Sequence, residues 1–259
     1  LPEWHNKEIL DKFDNVSWYE SINYIHQDQK SDFNSKFHRR LAYDEILANQ
    51  LVLSHARKRV KKFKKLGKKF DNLLSKKLVS NFIYSLTKDQ TKVIEEINKD
   101  LKSEFKMFRL LQGDVGSGKT IVSFIAAANV IRSEWQVALM APTEILARQH
   151  YDLAKKIFKS TNINIEFLTG KTDKKEKNLI QKNLINGKIN FLIGTHALFQ
   201  KKINFRNLGL VIIDEQHKFG VRQRIELSNK GGTNCDILLM SATPIPRTLI
   251  LAVYGDMDV

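Results

Sequence analysis

The sequence GDVGSGKT at residues 113–120 follows an apolar run at residues 108–111 and precedes a long helical pattern. It fits G-x-x-x-x-G-K-[ST], in which backbone N–H groups close around phosphates at the start of a helix. Lys119 is expected to reach the terminal phosphates of a nucleotide, and Thr120 to offer its hydroxyl to Mg²⁺. The position between a strand and a helix favours a phosphate-binding loop over an ordinary glycine-rich turn. The loop residues predicted to bind the nucleotide are Gly113, Gly116, Ser117, Gly118, Lys119 and Thr120.

Short apolar runs alternate with helical stretches from about residue 81 onward. This alternation is typical of a parallel sheet with crossover helices, and nearly continuous apolar runs are expected for strands covered on both faces. The sequence therefore predicts an α/β fold. The predicted strands are residues 108–111, 137–140, 163–168, 189–193, 210–213 and 237–240.

Two acidic residues, Asp214 and Glu215, directly follow the apolar run at residues 210–213. Ligands of open α/β sheets bind at the carboxyl ends of the strands, so these acids are expected near the phosphate loop. Asp214 suits a magnesium ion between phosphates, and Glu215 suits the orientation of an attacking water. Alone, such a pair would indicate a solvated loop. Together with the phosphate loop it predicts an ATPase site with Lys119, Asp214 and Glu215 as its catalytic residues.

Three further segments follow predicted strands at the same edge of the sheet. Residues 142–149 (PTEILARQ) and 194–198 (GTHAL) place N–H and hydroxyl donors where the phosphates of a nucleic acid could lie. Ser241, Ala242 and Thr243 could sense the γ-phosphate, although alone they are only a turn signal. The residues predicted to contact nucleic acid are Pro142, Thr143, Arg148, Gly194, Thr195 and His196.

The composition is strongly basic, with a formal net charge of +15 over 259 residues. Such a charge favours nucleic acid as a partner, but general lysine richness would explain it equally well. Residues 57–69 hold nine lysines and arginines at the predicted end of a helix, where they could grip phosphates or form a solvated face. Because no apolar run approaches about 18 residues, no membrane span is predicted. The single cysteine, Cys235, indicates a reducing, cytoplasmic setting.

The order GDVGSGKT, PTEILARQ, GTHAL, DEQH, SAT resembles the first motor lobe of superfamily 2 helicases. LLQGDVGSGKT, MAPTEILARQH, IGTHALFQ, DEQHKFGVRQR and MSATPIPRTL are similar to the RecG family of DNA branch-migration helicases. Residues 1–4 (LPEW) and 39–51 (RRLAYDEILANQL) are similar to the linker that precedes the motor in that family.

The resemblance implies a RecA-like ATP-binding lobe that uses ATP and Mg²⁺ and acts on branched or forked DNA in recombination and repair. It implies that Gln90 reads the adenine, although a helix-capping turn with Thr87 would also explain that segment. It further implies that Ser241, Ala242 and Thr243 couple the ATP state to DNA. Arg222 and Arg224 would contact duplex DNA in a coupling loop.

The resemblance also implies how the chain is organised. Residues 1–37 would be a connecting segment after a DNA-wedge domain, residues 38–80 a basic linker helix region, and residues 81–259 the first helicase lobe. The wedge domain and the second lobe, which supplies arginines to the transferring phosphate, lie outside the sequence, so weak or no activity is expected of this chain alone.

Two alternatives remain open at this point. A double-stranded DNA translocase like the transcription-repair coupling factor shares several motifs, but its box typically reads DEEH where this chain has Gln216. An ATP-gated binding module without hydrolysis would not need Glu215.

Overall fold

The computed structural model describes residues 3–27, 34–60, 64–82, 85–200, 202–215 and 231–242. The described chain divides into two compact units, the first ending at Lys58 and the second beginning at Arg59. The three-part division expected from the resemblance stays a prediction. Within the described ranges, no helix is long and apolar enough to cross a membrane.

The first unit is helical, as predicted. Its helices are α1 (Lys7–Asp11), α2 (Trp18–His26) and α3 (Lys36–Val60), whose last residues belong to the second unit. A capping box between Ser17 and Glu20 begins α2. The fully buried Arg40 on α3 pairs with Asp44 one turn later and with Glu3 at 2.8 Å. This network fastens the chain ahead of α1 to α3.

The second unit is an α/β layer structure built on six parallel strands. The strands are β1 (Phe108–Gln112), β2 (Gln136–Met140), β3 (Ile165–Leu168), β4 (Phe191–Gly194), β5 (Leu208–Ile213) and β6 (Asp236–Ser241). The helices are α4 (Leu73–Asn81), α5 (Lys88–Lys102), α6 (Lys119–Arg132), α7 (Glu144–Ile157) and α8 (Lys174–Ile185). Short 3₁₀ turns occupy His196–Phe199 and Gly232–Asn234.

The order of strands across the sheet is β1-β6-β5-β2-β4-β3, and every pair is parallel. The chain moves from β1 through β2 to β3 and then returns through β4, β5 and β6. Right-handed crossovers therefore place α6 and α7 on one face of the sheet and α8 on the other. The predicted RecA-like α/β fold is confirmed.

The core explains why these segments fold as they do. Every residue of β2, β5 and β6 is buried, as the continuous apolar runs require. Helix α6 is buried from Ile121 to Ile131 because the sheet lies on one side and helices α4 and α5 pack on another. This buried helix carries the phosphate loop at its first turn.

Two lysines of the basic segment at residues 57–69 are buried, which fits neither the phosphate-binding nor the solvated-face interpretation. Helix α3 ends at Val60, and Lys65 and Lys68 lie beyond it with fully buried side chains. Both ammonium groups contact the buried Asp236 carboxylate at the start of β6, at 2.7 and 2.6 Å respectively. Neither lysine grips phosphates or lies on a solvated face.

The rest of the basic segment is exposed or outside the described structure. Lys64 and Lys69 are exposed, and Lys64 lies 3.6 Å from Glu104. The side chains of Arg57, Lys58 and Arg59, together with residues 61–63, lie outside the described part of the chain.

Candidate active site

The phosphate loop has the backbone shape that its glycines permit. Gly116 and Gly118 have φ angles of 81° and 83°, a left-handed conformation that other residues adopt only with strain. Gly118 caps α6, and a Cβ atom there would lie 2.4 Å from Nε2 of Gln90. A side chain at position 118 would therefore strain the loop and displace the amide of Gln90.

The side chain of Lys119 lies within this loop. Its Nζ donates hydrogen bonds to the carbonyl oxygens of Gly113 at 2.6 Å and Asp114 at 2.8 Å. The ammonium group is thus held by the backbone that would surround a phosphate. Thr120 follows as the second residue of α6.

Gln90 adopts the capping arrangement that the sequence left open. Its side-chain Oε1 accepts from the backbone N–H of Thr87 at 2.9 Å, and the backbone N–H of Gln90 donates to the Thr87 hydroxyl. Its Nε2 also donates to the carbonyl of Ser117 at 2.8 Å, which joins α5 to the phosphate loop. The adenine contact stays a prediction, and Nε2 has one further N–H to make it.

The acidic pair lies directly at the end of β5, as predicted. The backbone N–H of Asp214 donates to the carbonyl of Met140 at the end of the neighbouring β2, at 2.8 Å. Oδ1 of Asp214 accepts from the backbone N–H of Glu215 at 3.0 Å. Glu215 has a φ of 47°, a left-handed conformation that is uncommon for a glutamate and is a form of strain found at functional sites.

The Asp214 carboxylate has a further partner that was not predicted from the sequence. Nε2 of His150, on α7, lies 2.7 Å from Oδ2 of Asp214, and both residues are buried. Helical spacing could have revealed it, because His150 falls on the same buried face as Ala147, Ala154 and Ile157. A histidine on such a face needs a polar partner.

The strand order brings the nucleotide motifs together. Because β6 lies between β1 and β5, Ser241 and Ala242 lie between the phosphate loop and the acidic pair. The carbonyl of the buried Ser241 accepts from the N–H of Gly113 at 3.3 Å. Thr243 lies outside the described residues.

The first group of predicted nucleic-acid residues lies where β2 leads into α7. The Thr143 hydroxyl caps the helix by accepting from the N–H of Leu146 at 3.3 Å, and Pro142 precedes it half-buried. The exposed Arg148 lies over the ring of Phe167, 3.9 Å from its centroid. Stacking occupies the face of a guanidinium and leaves its in-plane N–H groups to bind oxygen acceptors.

The second group follows β4. A Cβ atom on Gly194 would lie 1.9 Å from the carbonyl oxygen of Leu168, so only glycine fits. The buried Thr195 donates its N–H to the same carbonyl at 3.2 Å, whereas His196 is exposed. His196 is therefore better placed than Thr195 to meet a partner. The predicted Arg222 and Arg224 lie outside the described residues.

The donors present fit a magnesium ion carried by a nucleotide. Within the described part of the chain, no three His, Cys, Asp or Glu residues are grouped as a metal cluster. Magnesium bound with a nucleotide needs only one or two protein oxygens, since water and phosphates supply the others. The Asp214 carboxylate and the Thr120 hydroxyl are oxygens of that kind.

Known proteins resemble this chain in sequence and in structure. The sequence model of the DEAD/DEAH box helicase family matches residues 87–251. The ATP-dependent DNA helicase RecG of Aquifex aeolicus is 46% identical over 230 residues, which are 88% of this chain and 29% of that protein. RecG of Bacillus subtilis is 40% identical over 260 residues, 100% of this chain and 38% of that protein.

A solved structure of RecG bound to a three-way DNA junction is similar with a TM-score of 0.82 and 42% identity, over 100% of this chain and 35% of the solved one. The chain thus spans about a third of the length of these relatives. The resemblance to RecG seen in the motifs is confirmed. Since the family match covers more than half of the 259 residues, this chain belongs to the DEAD/DEAH box helicase family.

Proposed function

We propose that this chain is the ATP-binding lobe of an ATP-dependent DNA helicase that acts on branched DNA, such as replication forks or Holliday junctions, in recombination and repair. The observation that carries the proposal is the strand order β1-β6-β5. It brings the phosphate loop, Ser241 and the acidic pair to adjacent positions on one edge of the sheet.

The nucleotide half of the edge would work by positioning and charge. Backbone N–H groups of the loop would bind the phosphates, and Lys119 would exchange its two carbonyl partners for phosphate oxygens. Thr120 and Asp214 would hold Mg²⁺, which when bound neutralises charge that develops on the phosphates. Glu215 would orient the attacking water.

The DNA half of the same edge would be formed by the segments after β2 and β4. Its predicted residues are Pro142, Thr143, Arg148, Gly194, Thr195 and His196, with Arg222 and Arg224 in the coupling loop. Support comes from the exposed, stacked Arg148 and from the net charge of +15. The preference for branched DNA is supported by the 42% identity to the RecG that was solved with a three-way junction.

The setting and the wider protein are proposed on the same basis. A cytoplasmic location is supported by a single, buried cysteine, Cys235. The helicase would also contain a DNA-wedge domain and a second lobe that supplies arginines, as the resemblance to RecG implies.

The test is phosphate release by the full-length protein that contains this chain. It would be measured with a forked DNA, a four-way junction and a linear duplex of the same composition and length. Stronger stimulation by the two branched substrates is expected. Equal stimulation by the linear duplex would favour a double-strand translocase, and ATP binding without any DNA-stimulated release would favour a binding module.

A further inference from the structure

The proposed nucleotide site and the proposed DNA site lie side by side along the edge of the sheet formed by the carboxyl ends of its strands. Strands β1, β6 and β5 carry the nucleotide motifs, whereas β2 and β4 carry the predicted DNA segments. Strands β5 and β2 are neighbours, so the boundary falls between them. Any signal from DNA to nucleotide within this unit has a direct route across that pair.

Two hydrogen bonds to Asp214 cross this boundary. The backbone N–H of Asp214 donates to Met140 at the end of β2, and the carboxylate accepts from His150 on α7. Helix α7 begins at the Thr143 cap, and its exposed face carries Arg148 two residues before His150. One helix therefore carries both predicted DNA contacts and a partner of the predicted magnesium ligand.

His150 is placed to fix the direction of this carboxylate. An ionised carboxylate only accepts hydrogen bonds, so Nε2 of His150 must carry the proton in the 2.7 Å contact. The other oxygen is bound by the N–H of Glu215, which is adjacent in the chain and moves with Asp214. His150 belongs to a separate element, so a displacement of α7 changes the position of Oδ2.

The hydrogen bonds leave the carboxylate able to bind a metal. Each oxygen of an ionised carboxylate can accept about two bonds, and each oxygen of Asp214 accepts one of those described. Partners behind a ligand typically matter because they orient it, and their loss costs about 10–100-fold in metal affinity or activity.

We propose that His150 is a positioning residue that couples DNA binding on α7 to the magnesium ligand Asp214. The proposal rests on the proposed function, which assigns Asp214 to magnesium and α7 to DNA. DNA held at the start of α7 would fix the helix and hence the carboxylate. Because coupling between two sites is reciprocal, bound magnesium nucleotide would strengthen DNA binding by the same factor.

The test compares His150→Leu, which removes the donor, with His150→Gln, which keeps an N–H at a similar reach. Binding of a fluorescent ATP analogue to the full-length protein is titrated with Mg²⁺, with and without forked DNA. His150→Leu is expected to raise the half-saturating Mg²⁺ concentration by about tenfold and to bring the DNA effect on nucleotide affinity close to none. His150→Gln is expected to restore part of the magnesium affinity and part of the DNA effect.

Two controls separate a positioning role from general damage. Ile157→Val lies on the same buried face of α7 and lightens its packing without touching Asp214, so it should lower the unfolding temperature and leave the magnesium dependence unchanged. Nucleotide binding in excess chelator, where no magnesium takes part, should be alike in His150→Leu and the wild type.

Comparison with Asp214→Asn distinguishes failure of the His150 proposal from failure of the proposed magnesium site. If Asp214→Asn shifts the magnesium dependence and His150→Leu does not, this inference is wrong while the proposed site stands. If Asp214→Asn has no effect, the magnesium assignment of the proposed function is itself wrong. An altered magnesium dependence in His150→Leu with an unchanged DNA effect would overturn the coupling.

Discussion

Nζ of Lys65 donates to both carboxylate oxygens of Asp236, each at 2.7 Å, although the two residues lie 171 positions apart in the chain. Lys68 joins the same carboxylate, whose Oδ1 also accepts from the N–H of Met107 at 2.7 Å. Burial lowers the pKa of Lys65, and the facing Asp236 charge opposes that change. The segment after α3 is thereby fastened to the start of β6.

The first prediction is that Asp236→Asn strongly destabilises the second unit. Two buried ammonium groups would lose their counter-charge, and breaking a buried pair in this way costs about 3–5 kcal/mol. Urea unfolding followed by circular dichroism measures the change. The double replacement Lys65→Met with Lys68→Met in the same Asp236→Asn background removes all three charges, keeps an acceptor for the Met107 N–H, and should recover much of the loss. A loss below that of a surface pair, about 1 kcal/mol, would contradict a dry, paired cluster.

These lysines show where sequence pattern reaches its limit. The six strands match their predicted bounds within two residues at each end, because short, nearly continuous apolar runs are typical of strands in a covered parallel sheet. The basic run gave no sign of which lysines are buried, since that depends on a partner far along the chain. Charge spacing describes a solvated helix well, but Lys65 and Lys68 lie beyond α3.

The candidate site shows the same limit in a different form. The phosphate loop and the acidic pair are each a run of consecutive residues, so their chemistry could be predicted from local order. The link between His150 and Asp214 depends on two strands being neighbours, which no local pattern specifies. Helical spacing could place His150 on a buried face, but not against a particular carboxylate.

A second prediction concerns Cys235, whose thiol is fully buried. Burial raises its pKa from 9.0 to about 12. Above pH 9.0 the unfolded thiol loses its proton while the folded thiol keeps it, so the folded state binds more protons and stability falls as pH rises toward 12. The slope from one such group is about 1.4 kcal/mol per pH unit.

The measurement compares wild type with Cys235→Ala by urea unfolding below pH 9.0 and at two values between 9.0 and about 12. The comparison is needed because Lys65, whose pKa is lowered, contributes the opposite sign as pH rises. As the pH rises, the free energy of unfolding of the wild type should fall relative to that of Cys235→Ala. A constant difference would show that the thiol titrates alike in both states.

A third prediction separates the two roles of Gln90. Glu at this position keeps the acceptor that the capping box needs, but it loses the Nε2 donor to the Ser117 carbonyl and to any adenine. Gln90→Glu should therefore keep the capping box, lower the unfolding temperature slightly because the bond to the Ser117 carbonyl is lost, weaken ATP binding and reduce its preference over GTP. Gln90→Ala should in addition lose the bond from the Thr87 N–H, at about 1 kcal/mol of stability, while the Thr87 hydroxyl still caps the helix. An unchanged preference in both variants would leave Gln90 as a cap alone.

A fourth prediction concerns Arg148, which stacks on Phe167 beside the Thr143 cap. If it binds a phosphate, Arg148→Ala should weaken DNA binding and make the log–log dependence of affinity on salt shallower by about 0.7–0.9. The matched control is Lys156→Ala, which removes an equal exposed charge from the far end of α7. Equal slopes for the two variants would remove Arg148 from the DNA interface.

The last prediction concerns the division between binding and hydrolysis at Glu215. Asp214 keeps its contacts with His150 and with the Glu215 backbone when only the Glu215 side chain changes. Glu215→Gln should thus retain magnesium nucleotide binding and lower DNA-stimulated phosphate release by about a hundredfold or more, because the water loses its orienting carboxylate.

Lys119→Ala should instead weaken nucleotide binding itself, since a charged hydrogen bond to phosphate is lost, at about 1.5–3 kcal/mol. Single-turnover phosphate release and analogue titration on the full-length protein distinguish the two variants. If a second lobe supplies arginines to the transferring phosphate, as proposed, the 259 residues alone should bind nucleotide yet turn it over slowly, because the lack of such an arginine can cost about a thousandfold or more in rate. Rapid DNA-stimulated turnover by those residues alone would show that no arginine from a second lobe is needed. An active Glu215→Gln protein would show that another group orients the water.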